Sequence, residues 1–197
     1  LNLAPDKAPV FAEIDRVLKT GGELYISDVF VDRRLPEAVR RDEVLVGECL
    51  GGALCTEDFR RMMTDLGWKD VRTVTERPIE VEDADLRDRL GNARFSSATI
   101  RAFKLPDLIE DRCEDYGQVA IYRGGVEGQR HAFMLDDHHL FEAGRPMLVC
   151  GNSAAMVQDT RYGRFFDVLG DRSTHFGLFD CEPAPSAGGE AAAGSCC

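Results

Sequence analysis

Between Asp6 and Val29 the sequence changes from a helical to an extended rhythm across one glycine pair, and this change constrains the fold most. Val10, Phe11, Ile14, Val17 and Leu18 recur at helical spacing, so they share one face of a helix that Asp6 is placed to cap. Thr20-Gly21-Gly22 supplies the stop. Glu23-Leu24-Tyr25-Ile26-Ser27-Asp28-Val29 follows as a strand rich in aromatic and β-branched residues. Helix, glycine pair and strand form the late part of an alternating α/β unit, and Leu1 to Pro5 read as the end of the strand before it. In such folds a glycine loop for phosphate or nucleoside follows the first strand, and no G-x-G-x-x-G occurs in these 197 residues. The expectation is the late half of an α/β domain whose earlier half lies upstream of Leu1.

The rest of the first hundred residues continues the alternation. Leu35 to Leu45 reads as one charged helix, and Gly47-Glu48-Cys49-Leu50-Gly51-Gly52-Ala53-Leu54 interrupts it. Thr56 is placed to cap a second helix with an acidic first turn, apolar Phe59, Met62, Met63 and Leu66, and Gly67 at its end. Val71 to Thr75 alternates as a strand, with Pro78 to Val81 leading away from it. Asp83 to Leu90 reads as a short solvated helix, and Phe95 to Phe103 as a further strand, the two late strands pairing antiparallel at the edge. A different pattern begins near Pro106. Asp115 to Tyr122, His131 to Leu135 and Pro146 to Cys150 are strand-like between turns, and Ser153 is placed to cap a helix reaching about Phe166. The division expected is 1–105 as an α/β part, 106–182 as a small α+β domain, and 183–197 as a disordered Ala-, Gly- and Ser-rich tail ending in Cys196-Cys197.

A net charge of −11 argues against nucleic acid and anionic membrane surfaces as partners. No apolar run approaches membrane-spanning length, so a cytoplasmic protein is the expectation; it is also expected to be a monomer. Seven cysteines at irregular spacing, with no CxxC pair, fit reduced thiols better than a disulfide framework or a zinc knuckle. Asp136-Asp137-His138-His139 lacks partners at metal-ligand spacing and reads as a polar turn. Asp28, at the end of its strand, is either the edge of a ligand crevice or an ordinary turn residue. Cys49 is either a small buried apolar residue or a thiol around which Gly47, Gly51 and Gly52 fold the backbone closely.

Five segments carry a resemblance. The run 13–29, "EIDRVLKTGGELYISDV", is similar to the late helix–strand unit of class I S-adenosylmethionine-dependent methyltransferases, a Rossmann-like fold. "GECLGGAL" is narrower, and it is followed by "EDFRRMMTDLGWKDVR" (57–72), "RFSSATIRAFK" (94–104) and "EDYGQVAIYRGGV" (114–126). Together these resemble the arsenite S-adenosylmethionine methyltransferases, from about residue 1 to Cys181, and the terminal Cys-Cys pair recurs there.

The resemblance implies an enzyme that methylates thiolate-bound trivalent arsenic, with S-adenosylmethionine as co-substrate. Cys49 stands where the family has an arsenic ligand, so it is the catalytic, metalloid-binding candidate. Asn2 and Leu3 are the residues expected to border the cofactor pocket. A further family cysteine, within or just before the "RFSSATIRAFK" segment, is matched here by Ala93 or Ala98, which cannot ligate. Arsenicals arriving as thiol conjugates, and thiol reductants, are the implied partners, and residues 1–197 alone are expected to be inactive. Two other readings accompany this one. The first is a methyltransferase for another small molecule, with Cys49 as packing. The second is a non-catalytic metalloid-binding module using Cys49 and Cys196-Cys197.

Overall fold

The helix, glycine pair and strand at the start of the chain fold as their rhythm dictates. The structure, a computed structural model, describes residues 1–181; the tail expectation for 183–197, with Cys196 and Cys197, lies outside the described residues. Helix α1 (Ala8–Val17) buries Phe11; its N-cap is Lys7 and not the expected Asp6, whose carboxylate, one residue further out, accepts from the Ala8 N–H at 3.1 Å. Gly21, at φ +80°, turns the chain into strand β1 (Glu23–Val31). That strand runs past Asp28, which therefore lies inside it and does not close it.

The single helix expected over Leu35 to Leu45 is two: α2 (Glu37–Arg40) and α3 (Glu43–Gly47). Asp42 divides them because its carboxylate accepts from the N–H groups of Val44 and Leu45, at 3.0 and 3.1 Å, in competition with a continuous helix. After β2 (Leu54–Cys55) comes α4 (Thr56–Asp65), whose N-cap is Cys55, so Thr56 is the first helical residue instead of the cap. Strand β3 (Val71–Ile79) continues through Pro78, which an edge strand tolerates. Helix α5 (Ala84–Leu90), capped by Asp83, and strand β4 (Phe95–Phe103) complete this part.

The sheet order is β2-β1-β4-β3. Strand β1 is parallel to β2, while β4 enters between β1 and β3 and pairs antiparallel with both. Helices α1 and α4 cover the sheet through Phe11, Phe59 and Met63, joined by Trp68 just beyond α4, with the Phe11 and Phe59 rings 5.4 Å apart. A second apolar cluster joins Val31, Leu35, Val39, Leu45, Leu50, Leu90 and Phe95 beneath the loops that follow β1. Each such fully buried side chain contributes about 1.5–3 kcal/mol.

Beyond residue 103 the strands are short: β5 (Glu114–Asp115), β6 (Gln118–Tyr122), β7 (Ala132–Met134), β8 (Leu140–Glu142) and β9 (Pro146–Val149). Helix α6 (Gly151–Gln158) is capped by Cys150, not Ser153, and ends eight residues before Phe166. A close turn stops it, because a Cβ on Gly163 would meet the Gln158 carbonyl at 2.2 Å. Phe166 instead opens β10 (Phe166–Leu169), which with β6 and β9 forms an antiparallel sheet; β11 (Gly177–Leu178) pairs with β5. Tyr122, Phe133, Phe141 and Met156 centre the core of this part, which takes in Phe103 from the end of β4. No helix among the described residues is long and apolar enough to cross a membrane.

Candidate functional site

Helices α3 and α4 end in the same hydrogen-bonded motif, built on different residues. At the end of α4 the Gly67 N–H donates to the Thr64 carbonyl and Trp68 N–H to Met63, with Gly67 at φ +88°. At the end of α3 the Cys49 N–H donates to the Val46 carbonyl at 3.0 Å and Leu50 N–H to Leu45 at 2.9 Å. This is the helix stop in which the left-handed residue is usually glycine. In α3 that residue is Cys49, at φ +62°, the one non-glycine residue with positive φ among those described. The apolar contact that accompanies the motif is present, since Leu45 and Leu50 share one buried cluster.

The glycines around Cys49 do a different job from the one their number implies. None of Gly47, Gly51 and Gly52 has positive φ. Gly51 and Gly52 are required by close approach: a Cβ on Gly51 would lie 2.9 Å from the Val39 carbonyl oxygen, and one on Gly52 only 2.1 Å from that of Asn2. Gly47 faces open space. The segment is thus pressed against residue 2, and the cysteine, not a glycine, bears the strained backbone.

Asn2 is the hub of this contact. Its side-chain amide donates to the Val29 carbonyl at 2.8 Å and the Cys49 carbonyl at 3.5 Å, and its N–H donates to the Asp28 carboxylate at 3.2 Å. Its Oδ1 is buried with no hydrogen-bond partner. Asn2 thus joins Asp28 and the Cys49 carbonyl through its own hydrogen bonds. Leu3 is 69% exposed and lies on the adjoining cleft.

That cleft, about 890 Å³, lies beyond the carboxyl end of β1 and is lined by residues 2–7, by Arg34, Leu35, Arg40 and Arg41, and by 51–55 with Asp58. Cys55 is on its wall; Cys49, half-buried, is not among the lining residues. Arg34 donates two hydrogen bonds to Asp58 at the rim, at 2.7 and 2.6 Å. Ala98 is buried in the sheet opposite Asp28, and Ala93 packs against the cluster that holds Leu45 and Leu50. Both alanines fill space and offer no donor.

A second constellation escaped the sequence reading. The sulfurs of Cys113, Cys150 and Cys181 lie within 4.8 Å of one another. Cys150 is fully buried at the start of α6, where its Sγ accepts from the Ser153 N–H at 3.4 Å and faces the Arg72 guanidinium at 3.9 Å. A hydrogen bond from Cys113, then Ser153 and Arg72, hold the Cys150 thiol below the ordinary range, and the same contact pushes Cys113 up. The three residues are far apart in sequence and form no CxxC pair, so no local spacing could have revealed them. The Asp136–His139 segment is the polar turn expected between β7 and β8. Its Asp136 carboxylate is buried and engaged by Arg72 at 2.9 Å and by the His139 ring at 2.7 Å.

A methyltransferase domain model matches residues 1–77. The arsenite methyltransferase of Aquipseudomonas alcaligenes is 54% identical over 180 residues, covering 91% of this chain and 52% of that protein. The chain belongs to the arsenite methyltransferase family. The mouse arsenite methyltransferase is 40% identical over 84% of the chain and 43% of the relative. The crystal structure of an arsenic(III) S-adenosylmethionine methyltransferase from Chlamydomonas reinhardtii superposes with a TM-score of 0.85 at 52% identity, covering 91% of this chain and 60% of that one. The chain thus spans about half the length of the curated arsenite methyltransferases it matches. The α/β methyltransferase fold expected from the helix–glycine–strand unit is the family's own.

Proposed function

We propose that this chain supplies the arsenic-binding segment of an arsenite methyltransferase, with Cys49 as a thiolate ligand of trivalent arsenic. The observation that carries the proposal is the backbone of Cys49. A left-handed conformation costs a side-chain-bearing residue about 1–2 kcal/mol relative to the right-handed one, and Gly67 shows the relaxed solution to the same turn. Keeping a thiol at such a position fits a residue retained for its sulfur.

Trivalent arsenic is a soft centre that prefers thiolate ligands. Held by sulfur it keeps a lone pair, and the protein's contribution is to fix the direction of that pair and keep water away. S-Adenosylmethionine, when bound, supplies an electrophilic methyl group. Asn2 and Leu3 are the residues of this chain that we assign to its rim. The unpartnered, buried Oδ1 of Asn2 offers an acceptor that suits such a group, and Leu3 offers an exposed apolar side chain on the cleft. Asn2 also ties that rim to the Cys49 carbonyl, so a movement on either side is felt on the other. The reading extends to arsenicals delivered as thiol conjugates, a thiol reductant, a cytoplasmic monomer, and a division of labour between residues 1–105 and 106–182.

The test is Cys49→Ser in the complete enzyme, read as methylarsenical formed from arsenite. Loss of methylation with S-adenosylmethionine binding intact supports the assignment. Undiminished methylation sinks it and returns Cys49 to packing.

A further inference from the structure

We propose that Cys113, Cys150 and Cys181 form a second, three-sulfur site for trivalent arsenic, separate from Cys49. The inference stands on the geometry of these three residues and does not depend on the methyl-transfer reading.

Three features select the ligand. The first is the donor set. The sulfurs lie within 4.8 Å of one another, and among the described residues no histidine or carboxylate joins their group. Zinc in a structural site takes four ligands in a tetrahedron. Trivalent arsenic needs three sulfurs in a pyramid, with its lone pair on the open side, and three are what the fold assembles.

The second is charge. Arsenic(III) with three thiolates is neutral, whereas a divalent ion with the same donors carries an excess negative charge. Arg72 supports anionic sulfur at Cys150, yet its own charge is already matched by Asp70, at 2.5 Å, and Asp136, at 2.9 Å. A neutral complex adds no negative charge beside those two carboxylates.

The third is access. Cys150 is buried, while Cys113 and Cys181 are half-exposed. Cys113 also borders a cavity of about 200 Å³ with Lys69, Glu110, Arg112 and Asn152. Entry as arsenous acid is a condensation: three As–OH bonds break, three As–S bonds form, and three waters leave, their protons coming from the S–H groups of Cys113 and Cys181 and, for the Cys150 thiolate, from solvent. The product would tie the start of α6 to the paired segments before β5 and beyond β11, which already share a hydrogen bond from the Phe179 N–H to the Cys113 carbonyl at 2.8 Å.

The test uses the whole chain carrying Cys49→Ser, Cys55→Ser, Cys196→Ser and Cys197→Ser, fully reduced, with sodium arsenite as the probe. Native mass spectrometry should show one arsenic per chain with three hydrogens lost. A further Cys113→Ser or Cys181→Ser should weaken binding by more than about tenfold, as removal of a direct ligand does at least as much as removal of a supporting group. In the unsubstituted chain, arsenite should protect Cys113 and Cys181 from alkylation. Absence of the adduct, an adduct that survives Cys181→Ser, or zinc bound in preference to arsenite would overturn the proposal. Because Cys49 is already replaced, none of these outcomes bears on methyl transfer.

Discussion

Cys49 carries its thiol on a backbone that glycine would adopt without strain, so stability and chemistry pull in opposite directions at one residue. Cys49→Gly should therefore raise the unfolding free energy by about 1 kcal/mol, seen as a higher urea midpoint at unchanged slope, while abolishing arsenic methylation by the complete enzyme. A loss of stability would show that side-chain packing outweighs the turn. Asp136 poses the opposite case, a residue fixed by charge. Burial alone would raise its pKa, but hydrogen bonding from His139 and the nearby Arg72 guanidinium hold it well below the usual carboxylate range. A depressed folded-state pKa gives stability that is fully present above the unfolded aspartate value of about 3.9 and is lost as pH falls through the folded value. Unfolding free energies across an acid series should decline in that window, and Asp136→Asn should flatten this limb of the profile.

Between α3 and β2 the sequence showed that something unusual was present, but not which residue bore it. Three glycines around a cysteine signalled close packing, and Gly51 and Gly52 do meet backbone at contact distances. The positive φ fell on Cys49 instead, because the helix stop is fixed by counting back from Leu50 to Leu45, a local register that composition does not reveal. The same holds for α2 and α3, where Asp42 competes for two N–H groups inside an otherwise helical pattern. By contrast α1, β1, α4 and β4 were legible, since each has its own period and a local stop. The cysteine trio was not legible, as it depends on how β5, α6 and β11 fold back on one another. Two alanine substitutions separate packing from propensity. Gly52→Ala drives a methyl into the Asn2 carbonyl and should cost about 1–3 kcal/mol or more, with loss of methylation as residue 2 shifts. Gly47→Ala, at a helical position in open space, should gain about 0.5–1 kcal/mol and leave methylation unchanged. Equal effects in paired denaturation curves would show that the loop is not pressed on Asn2.

At the scale of the whole molecule the two cores meet through a buried polar knot beside the apolar contact that Phe103 makes. Arg101, on β4, is 4% exposed; it donates to Glu23 at 2.7 Å and to the carbonyls of Met134 and Leu135 at 2.8 and 2.6 Å. Glu23 in turn accepts from the Tyr162 hydroxyl at 3.0 Å and pairs with Arg161 at 2.5 Å. The Arg101 guanidinium lies 4.8 Å from the Tyr25 ring centre and 5.5 Å from that of Phe133, so its planar face is also packed. The first sheet thereby grips the loop after β7 through Arg101 and the turn after α6 through Glu23. Removing one partner of such a buried pair typically costs about 3–5 kcal/mol, because the other is left without compensation. Arg101→Met should incur that loss, and it should do so unevenly, since the core around Phe133 and Met156 keeps its apolar contacts while losing its tether. Urea unfolding followed separately by Trp68 fluorescence, which reports the first sheet, and by far-ultraviolet circular dichroism should coincide in the parent and diverge in Arg101→Met. Removing Glu23 as well, in Arg101→Met/Glu23→Met, should cost less than the sum of the two single changes, because no unmatched carboxylate then remains and the exposed Arg161 can return to water. Additive losses, or coincident curves in Arg101→Met, would mean that the sheets are joined by their shared apolar residues, Phe103 foremost, and that the knot is incidental to their coupling.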